Sequence, residues 1–357
     1  TFPDPEGAYD QLERVEGMRV GAASLTVVGP TDGTTNEPNA TGGSNGVFYA
    51  TVTGDPRPFR TPGIQAPDPA PSGSIPPIPR WDTAPETMEV DSDAIGAAKL
   101  DLAAGAVVTG VTGPVDYGFR RYTILPEATP TVGSAGEAVT AARLPSEDEF
   151  TVASYNLERF FDTVNDPAIG EPVLTATAFA NRLNEASLGI REELHTPDVL
   201  GVMEMENLST LQQLADALDA EAVNAGDEDP QYAAYLDEGN DVGGIDVGFL
   251  VKTAPVDGST PRIEVVDVTQ FGKDTTWIDP SDNSASLLND RPPLLLRAIV
   301  HYADGRSFPV SVFAVHQRSL NGISDETVSG STTAGDRVRM KRQAQAEYLA
   351  GLIQARQ

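Results

Sequence analysis

The apolar positions of this chain follow two different patterns. Up to about Pro126 they come in short β-branched and aromatic runs: Gly17 to Val20, Ser24 to Val28, Val47 to Val52, Glu86 to Val90, Ala106 to Val115 and Tyr122 to Leu125. Gly, Pro, Asn and Asp separate them, and this spacing predicts a small all-β unit over residues 1–126, with 29–46 as a loop. Asp55 to Pro85 is rich in proline; lacking amide donors, it is read as an extended surface loop outside any sheet interior. Residues 127–149 show no periodicity and read as a linker.

From Phe150 the pattern changes. Phe150 to Asn156 is a strand candidate. A helical stripe follows over 176–194 (Phe179, Leu183, Leu188, Ile190), then a short run apolar on both faces, Val199 to Met203. Strand, helix, strand in that order predicts a right-handed crossover with the two strands parallel and adjacent. Their ends, Asn156 and Glu204, would then share one edge. Leu211, Leu214 and Leu218 mark a second helix over 208–223. Strands are expected over 245–252, 260–268, 294–300 and 308–315, a polar loop with Trp277 over 274–289, and a closing helix over 336–354. The loop 227–241 is acidic, a solvated charge run or a second cation site. A carboxylate at the end of a buried strand is costly unless a metal ion or an arginine meets it. An amide oxygen beside a carboxylate is a hard ligand pair, suited to Mg²⁺ or Ca²⁺ rather than zinc.

SYNLERFFD at 154–162 followed by PDVLGVMEMEN at 197–207 resembles the endonuclease/exonuclease/phosphatase superfamily, the fold of deoxyribonuclease I, and within it the secreted bacterial nucleases. The resemblance covers most of 150–357 and implies an α+β four-layer sandwich, preceded by a small OB-like domain at 1–126. It implies a metal-dependent phosphodiesterase acting on nucleic acid, DNA or RNA, outside the cell. Asn156 and Glu204 would hold the cofactor, Mg²⁺ or else Ca²⁺ or Mn²⁺, and would count with His316 as catalytic. Arg291, at the head of the strand run DRPPLLLRAIV, and Arg318, in VHQRS, would meet substrate phosphate. A structural ion pair is the alternative for Arg291. The family pattern at the last motif is NHLKS; here Val315 replaces the asparagine and Arg318 the lysine. In the first unit Phe119, Arg120, Arg121 and Tyr122 are candidates for single-strand binding, against a plain packing role. The family's later Gly-Asp-x-Asn and Ser-Asp-His motifs do not occur in residues 1–357, so this stretch by itself is expected to bind metal weakly and not to turn over. A lipid- or inositol-phosphate esterase and a non-catalytic surface protein are the competing readings.

Charge narrows the picture. Asp and Glu number 53 against 24 Lys and Arg, a formal net charge of −29. Such a chain does not attract nucleic acid by bulk electrostatics, so any contact must depend on a local cationic cluster or a metal ion. There is no cysteine, which excludes disulfides and thiolate chemistry. No apolar run approaches the ~20 residues of a membrane span. A chain opening at Thr1 reads as a processed or excised piece.

Overall fold

The computed structural model describes residues 3–356 except 5, 6, 8, 9, 56–85, 119, 120, 135–139, 324 and 326. The body of the proline-rich stretch therefore lies outside the described residues. The chain divides into two compact units, 1–36 with 41–139, and 37–40 with 140–357.

The first unit contains β1 (Arg19–Val27), β2 (Gly33–Asn36), β3 (Thr41–Ser44), β4 (Val47–Val52), β5 (Met88–Asp91), β6 (Val107–Gly118), β7 (Arg121–Ile124) and β8 (Thr131–Ser134). Five of them close on themselves in the order β1-β4-β5-β7-β6, with β6 returning to pair with β1 and β8 added outside β6. Closure leaves no open edge among these five strands. Leu25, Phe48, Ala50, Val90, Val108 and Val111 are fully buried inside the ring. Two parts differ from the sequence expectation. The stretch read as a loop holds the β2–β3 hairpin, and the linker holds β8. All three are four-residue strands exposed at every position but one, so they carry no alternation that a pattern could reveal.

In the second unit β9 (Val152–Phe160), β10 (Val199–Met205), β11 (Tyr232–Leu236) and β12 (Asp246–Lys252) form a sheet in the order β11-β12-β10-β9. A second sheet joins β13 (Ile263–Gln270), β16 (Leu294–His301) and β17 (Ser307–Ala314), with β16 central. Between them in sequence lies a hairpin, β14 (Thr276–Ile278) and β15 (Ala285–Leu287), where a polar loop was expected. A two-residue pair, β18 (Val328–Ser329) and β19 (Thr332–Thr333), precedes the last helix. The helices are α1 (Ala176–Leu188), continued by a π-helical turn Gly189–Glu193, α2 (Leu208–Ala225) and α3 (Ala334–Gln354).

Both faces of the first sheet are covered. On one, Leu200, Val202 and Met205 meet Leu211, Leu214 and Leu218 of α2 together with Phe179 and Ile190. On the other, Val199, Val247, Phe249 and Val251 meet Ile263, Leu294, Leu296 and Val300 of the second sheet. This double burial is why VLGVM and DVGFLV are continuous apolar runs. Gly248 lets α2 approach, since a Cβ there would lie 2.8 Å from Leu211 Cδ2 and 2.9 Å from the Tyr235 carbonyl. Leu188, assigned to the buried stripe of α1, is 43% exposed.

The expected α+β four-layer sandwich is corrected by these elements. Among the described residues there are 19 strands against three α-helices, distributed over several sheets. After α2, residues 227–333 run strand after strand without an α-helix. The apolar strand runs after α2 are linked by turns and small hairpins, so they add sheet without adding a helical layer. The chain is predominantly β. Among the described residues no helix is long and apolar enough to cross a membrane.

Candidate functional site

Parallel pairing of β9 and β10 sets Asn156 opposite Met203, and the register breaks between Met203 and Met205. Glu204 occupies that irregularity with φ +62°, and Glu158 and Arg159 on β9 both have φ +50°. Left-handed backbone at non-glycine residues is uncommon, and the surrounding contacts hold it here. Asn156 Nδ2 donates to Glu204 Oε1 at 3.1 Å, and the Arg159 N–H donates to Oε2 at 3.0 Å. Asn156 Oδ1 in turn accepts the Glu158 N–H at 2.9 Å.

The run MEMEN separates into distinct tasks. Met203 faces the inter-sheet core and Met205 the helical core. Glu206 is buried; its Oε2 accepts the Asp162 N–H at 2.7 Å, and burial, followed by the charges of Asp162 and Glu171, pushes its carboxyl up to about 7. Asn207 caps α2 by accepting the Thr210 N–H at 2.8 Å. Glu204 alone is left at the open strand end.

His316 arrives from the other sheet, two residues beyond β17. Its Nε2 lies 3.7 Å from Glu204 Oε1, and both side chains are about four-fifths covered, 22% and 18% exposed. Its Nδ1 is buried and has no hydrogen-bond partner among the described residues. Burial first, then the Arg291 and Arg342 charges, lower the imidazole pKa, against the opposing pull of Glu204 and Asp241. Asn156 and His316 therefore meet at one carboxylate, that of Glu204.

Arg291, expected at substrate phosphate or in a structural ion pair, has internal partners. It is buried, and Nη1 pairs with Asp241 Oδ2 at 2.5 Å. Nε and Nη2 donate to the carbonyls of His316 at 3.3 Å and Gln317 at 3.0 Å. The structural alternative is the one realised, with Asp241 as partner; Asp290 instead binds Lys341 at 2.9 Å. Gln345, buried in α3, accepts the Arg318 N–H at 2.8 Å, and Arg342 donates to the Arg318 carbonyl. All three carbonyls of 316–318 thus receive a guanidinium N–H. Asp241, Arg342 and Gln345 were not singled out by sequence reasoning; Asp241 lay inside a charge run and the other two on a polar helix face.

In the first unit Arg121 pairs with Glu89 at 2.9 Å and sits 5.0 Å over the Tyr49 ring, while Tyr122 donates its hydroxyl to Glu13 at 2.6 Å. Both are engaged within the unit; Phe119 and Arg120 lie outside the described residues. Among the described residues no group of three or more His, Asp or Glu is arranged to hold a metal ion. Glu204 offers a carboxylate of the kind Mg²⁺ uses, whereas Asn156 turns its amide nitrogen towards it and commits Oδ1 to the Glu158 N–H.

Residues 2–135 match the model of a domain of unknown function, DUF8508. That range covers most of the first unit together with residues 37–40 of the second. No curated protein matches the chain.

Proposed function

We propose that the second unit is a divalent-metal-dependent phosphodiesterase site of the endonuclease/exonuclease/phosphatase type, with nucleic acid, DNA foremost, as its phosphodiester. The observation that carries this reading is the meeting of Asn156 and His316 on the single oxygen Glu204 Oε1, at 3.1 and 3.7 Å. An amide from the middle of β9, a carboxylate near the end of β10 and an imidazole just beyond β17 would set a hard-ligand pair beside a proton-transfer group. Asn156 and Glu204 would hold Mg²⁺, which when bound supplies charge stabilisation to a phosphoryl oxygen. Cation binding would replace the Asn156–Glu204 hydrogen bond. His316 can accept or return a proton at Nε2, the nitrogen that faces the site, and burial with the Arg291 charge favours its neutral form. The Arg291 clamp keeps its backbone still.

Binding tests the reading directly. A phosphorothioate DNA oligonucleotide should bind more tightly when Mg²⁺ is added to the wild-type chain, and this gain should vanish in Glu204→Gln. Equal Mg²⁺ dependence in both proteins, or none in either, rejects it.

A further inference from the structure

The left-handed backbone at Glu158 and Arg159 needs a support outside β9, since neither residue favours φ +50° on its own. That support stands on α1. Phe179 and Arg182, one turn apart on this helix, both reach Phe160. The Phe179 ring meets it edge-on with centroids 6.1 Å apart, and the Arg182 guanidinium lies 5.0 Å over its face. From there Arg182 Nη2 donates to two successive carbonyls, Leu157 at 2.5 Å and Glu158 at 2.7 Å.

A trans peptide is planar, with its C=O and its N–H directed to opposite sides. Each carbonyl that Arg182 grips therefore turns an N–H away from α1. The N–H of the Leu157–Glu158 peptide meets Asn156 Oδ1 at 2.9 Å, and that of the Glu158–Arg159 peptide meets Glu204 Oε2 at 3.0 Å. One guanidinium thus lies behind both amides that hold the side chains of the site. A bond from a charged donor is stronger than a neutral one, and it polarises the peptide toward the acceptor on its far side.

We infer that Arg182 is a positioning residue of the Glu204 site: from α1 it orients two peptide units so that their N–H groups fix the Asn156 amide and the Glu204 carboxylate. Its bearing on Mg²⁺ rests on the proposed phosphodiesterase reading, while its hold on the two peptides is independent of that reading.

The test is NMR of the metal-free chain, followed by titration with Mg²⁺. Glu204→Gln alone should move the Arg159 amide proton upfield, because the neutral amide oxygen that replaces Oε2 is a weaker acceptor. In an Arg182→Met background the same exchange at Glu204 should leave that proton nearly unmoved, and Arg182→Lys should recover part of the shift. Mg²⁺ affinity of Arg182→Met should fall by about tenfold or more, the usual loss when a group that orients a metal ligand is removed. Arg191→Met is the control: it removes another covered arginine, 8% exposed, whose Nη1 donates to the Glu221 carbonyl at 3.2 Å. It should alter stability but neither the Arg159 shift nor Mg²⁺ affinity. If Arg182→Met does not fold, Arg182→Gln, which keeps a polar end and lacks the charge, carries the same comparison. A shift as large as in the wild-type background in either variant overturns the inference, as does an Arg191→Met that reproduces both losses. Loss of the amide shift with Mg²⁺ affinity unchanged would reject the metal reading and leave the role of Arg182 standing.

Discussion

Arg291 and Asp241 form a largely buried ion pair, Nη1 to Oδ2 at 2.5 Å, with 8% and 14% of their side-chain surfaces exposed. The pair links the loop before β12 to the turn that carries His316. Removing one partner leaves the other as an uncompensated buried charge, which typically costs about 3–5 kcal/mol. Arg291→Met should therefore lower the unfolding free energy by several kcal/mol, measured by urea denaturation. Arg291→Met combined with Asp241→Leu should recover much of that loss. A double variant no better than the single would show that the carbonyl contacts, not the ion pair, dominate.

Glu204→Gln keeps the volume and the acceptor for the Arg159 N–H while removing the charge. Its melting temperature should stay within a few degrees of wild type, and calorimetric Mg²⁺ binding should fall by at least tenfold. Unchanged Mg²⁺ affinity would place the ion elsewhere.

Asp246 sets a pH dependence. Burial first, then the charges of Glu238 and Asp241, push its carboxyl up to about 7 from 3.8, while it accepts the Gly239 N–H at 2.8 Å. The folded chain therefore holds a proton that the unfolded chain releases near pH 4. The resulting stability is fully present below about pH 4 and is lost as pH rises through about 7. Asp246→Asn keeps an acceptor oxygen and cannot ionise. Its gain in melting temperature over wild type should grow from pH 4 to pH 8. A difference that stays flat across this range would show that the carboxyl ionises normally in the folded chain.

Leu214 is fully buried between α2 and the first sheet. Leu214→Ala should destabilise by roughly 2–5 kcal/mol through lost transfer energy and the cavity left behind. Leu188→Ala, at an exposed position, should cost less than about 1 kcal/mol, since surface changes seldom exceed that. Comparison of their urea midpoints checks which face of α1 and α2 carries the core.

His316→Ala removes the imidazole but neither oxygen ligand. Mg²⁺ affinity should change less than threefold. The Mg²⁺-dependent gain in oligonucleotide affinity should persist, because His316 serves proton transfer rather than the cation. A loss of Mg²⁺ binding equal to that of Glu204→Gln would make His316 a ligand.

Local pattern alone was enough to locate β9, β10, β12, β16, β17 and the three helices, because apolar runs and stripes report burial residue by residue. It also singled out Asn156, Glu204 and His316 through their motifs, although β9, expected to end at Asn156, runs on to Phe160 because its later residues keep pairing with β10. Pairing through space decided the rest. The number of sheets and the predominance of β structure depend on which strands hydrogen-bond to which, and short exposed strands such as β2, β3 and β8 carry no burial signal. Arg291 shows the limit most clearly. An arginine ahead of a strand looks the same whether it faces phosphate or Asp241, and only packing brought a carboxylate 50 residues away within 2.5 Å.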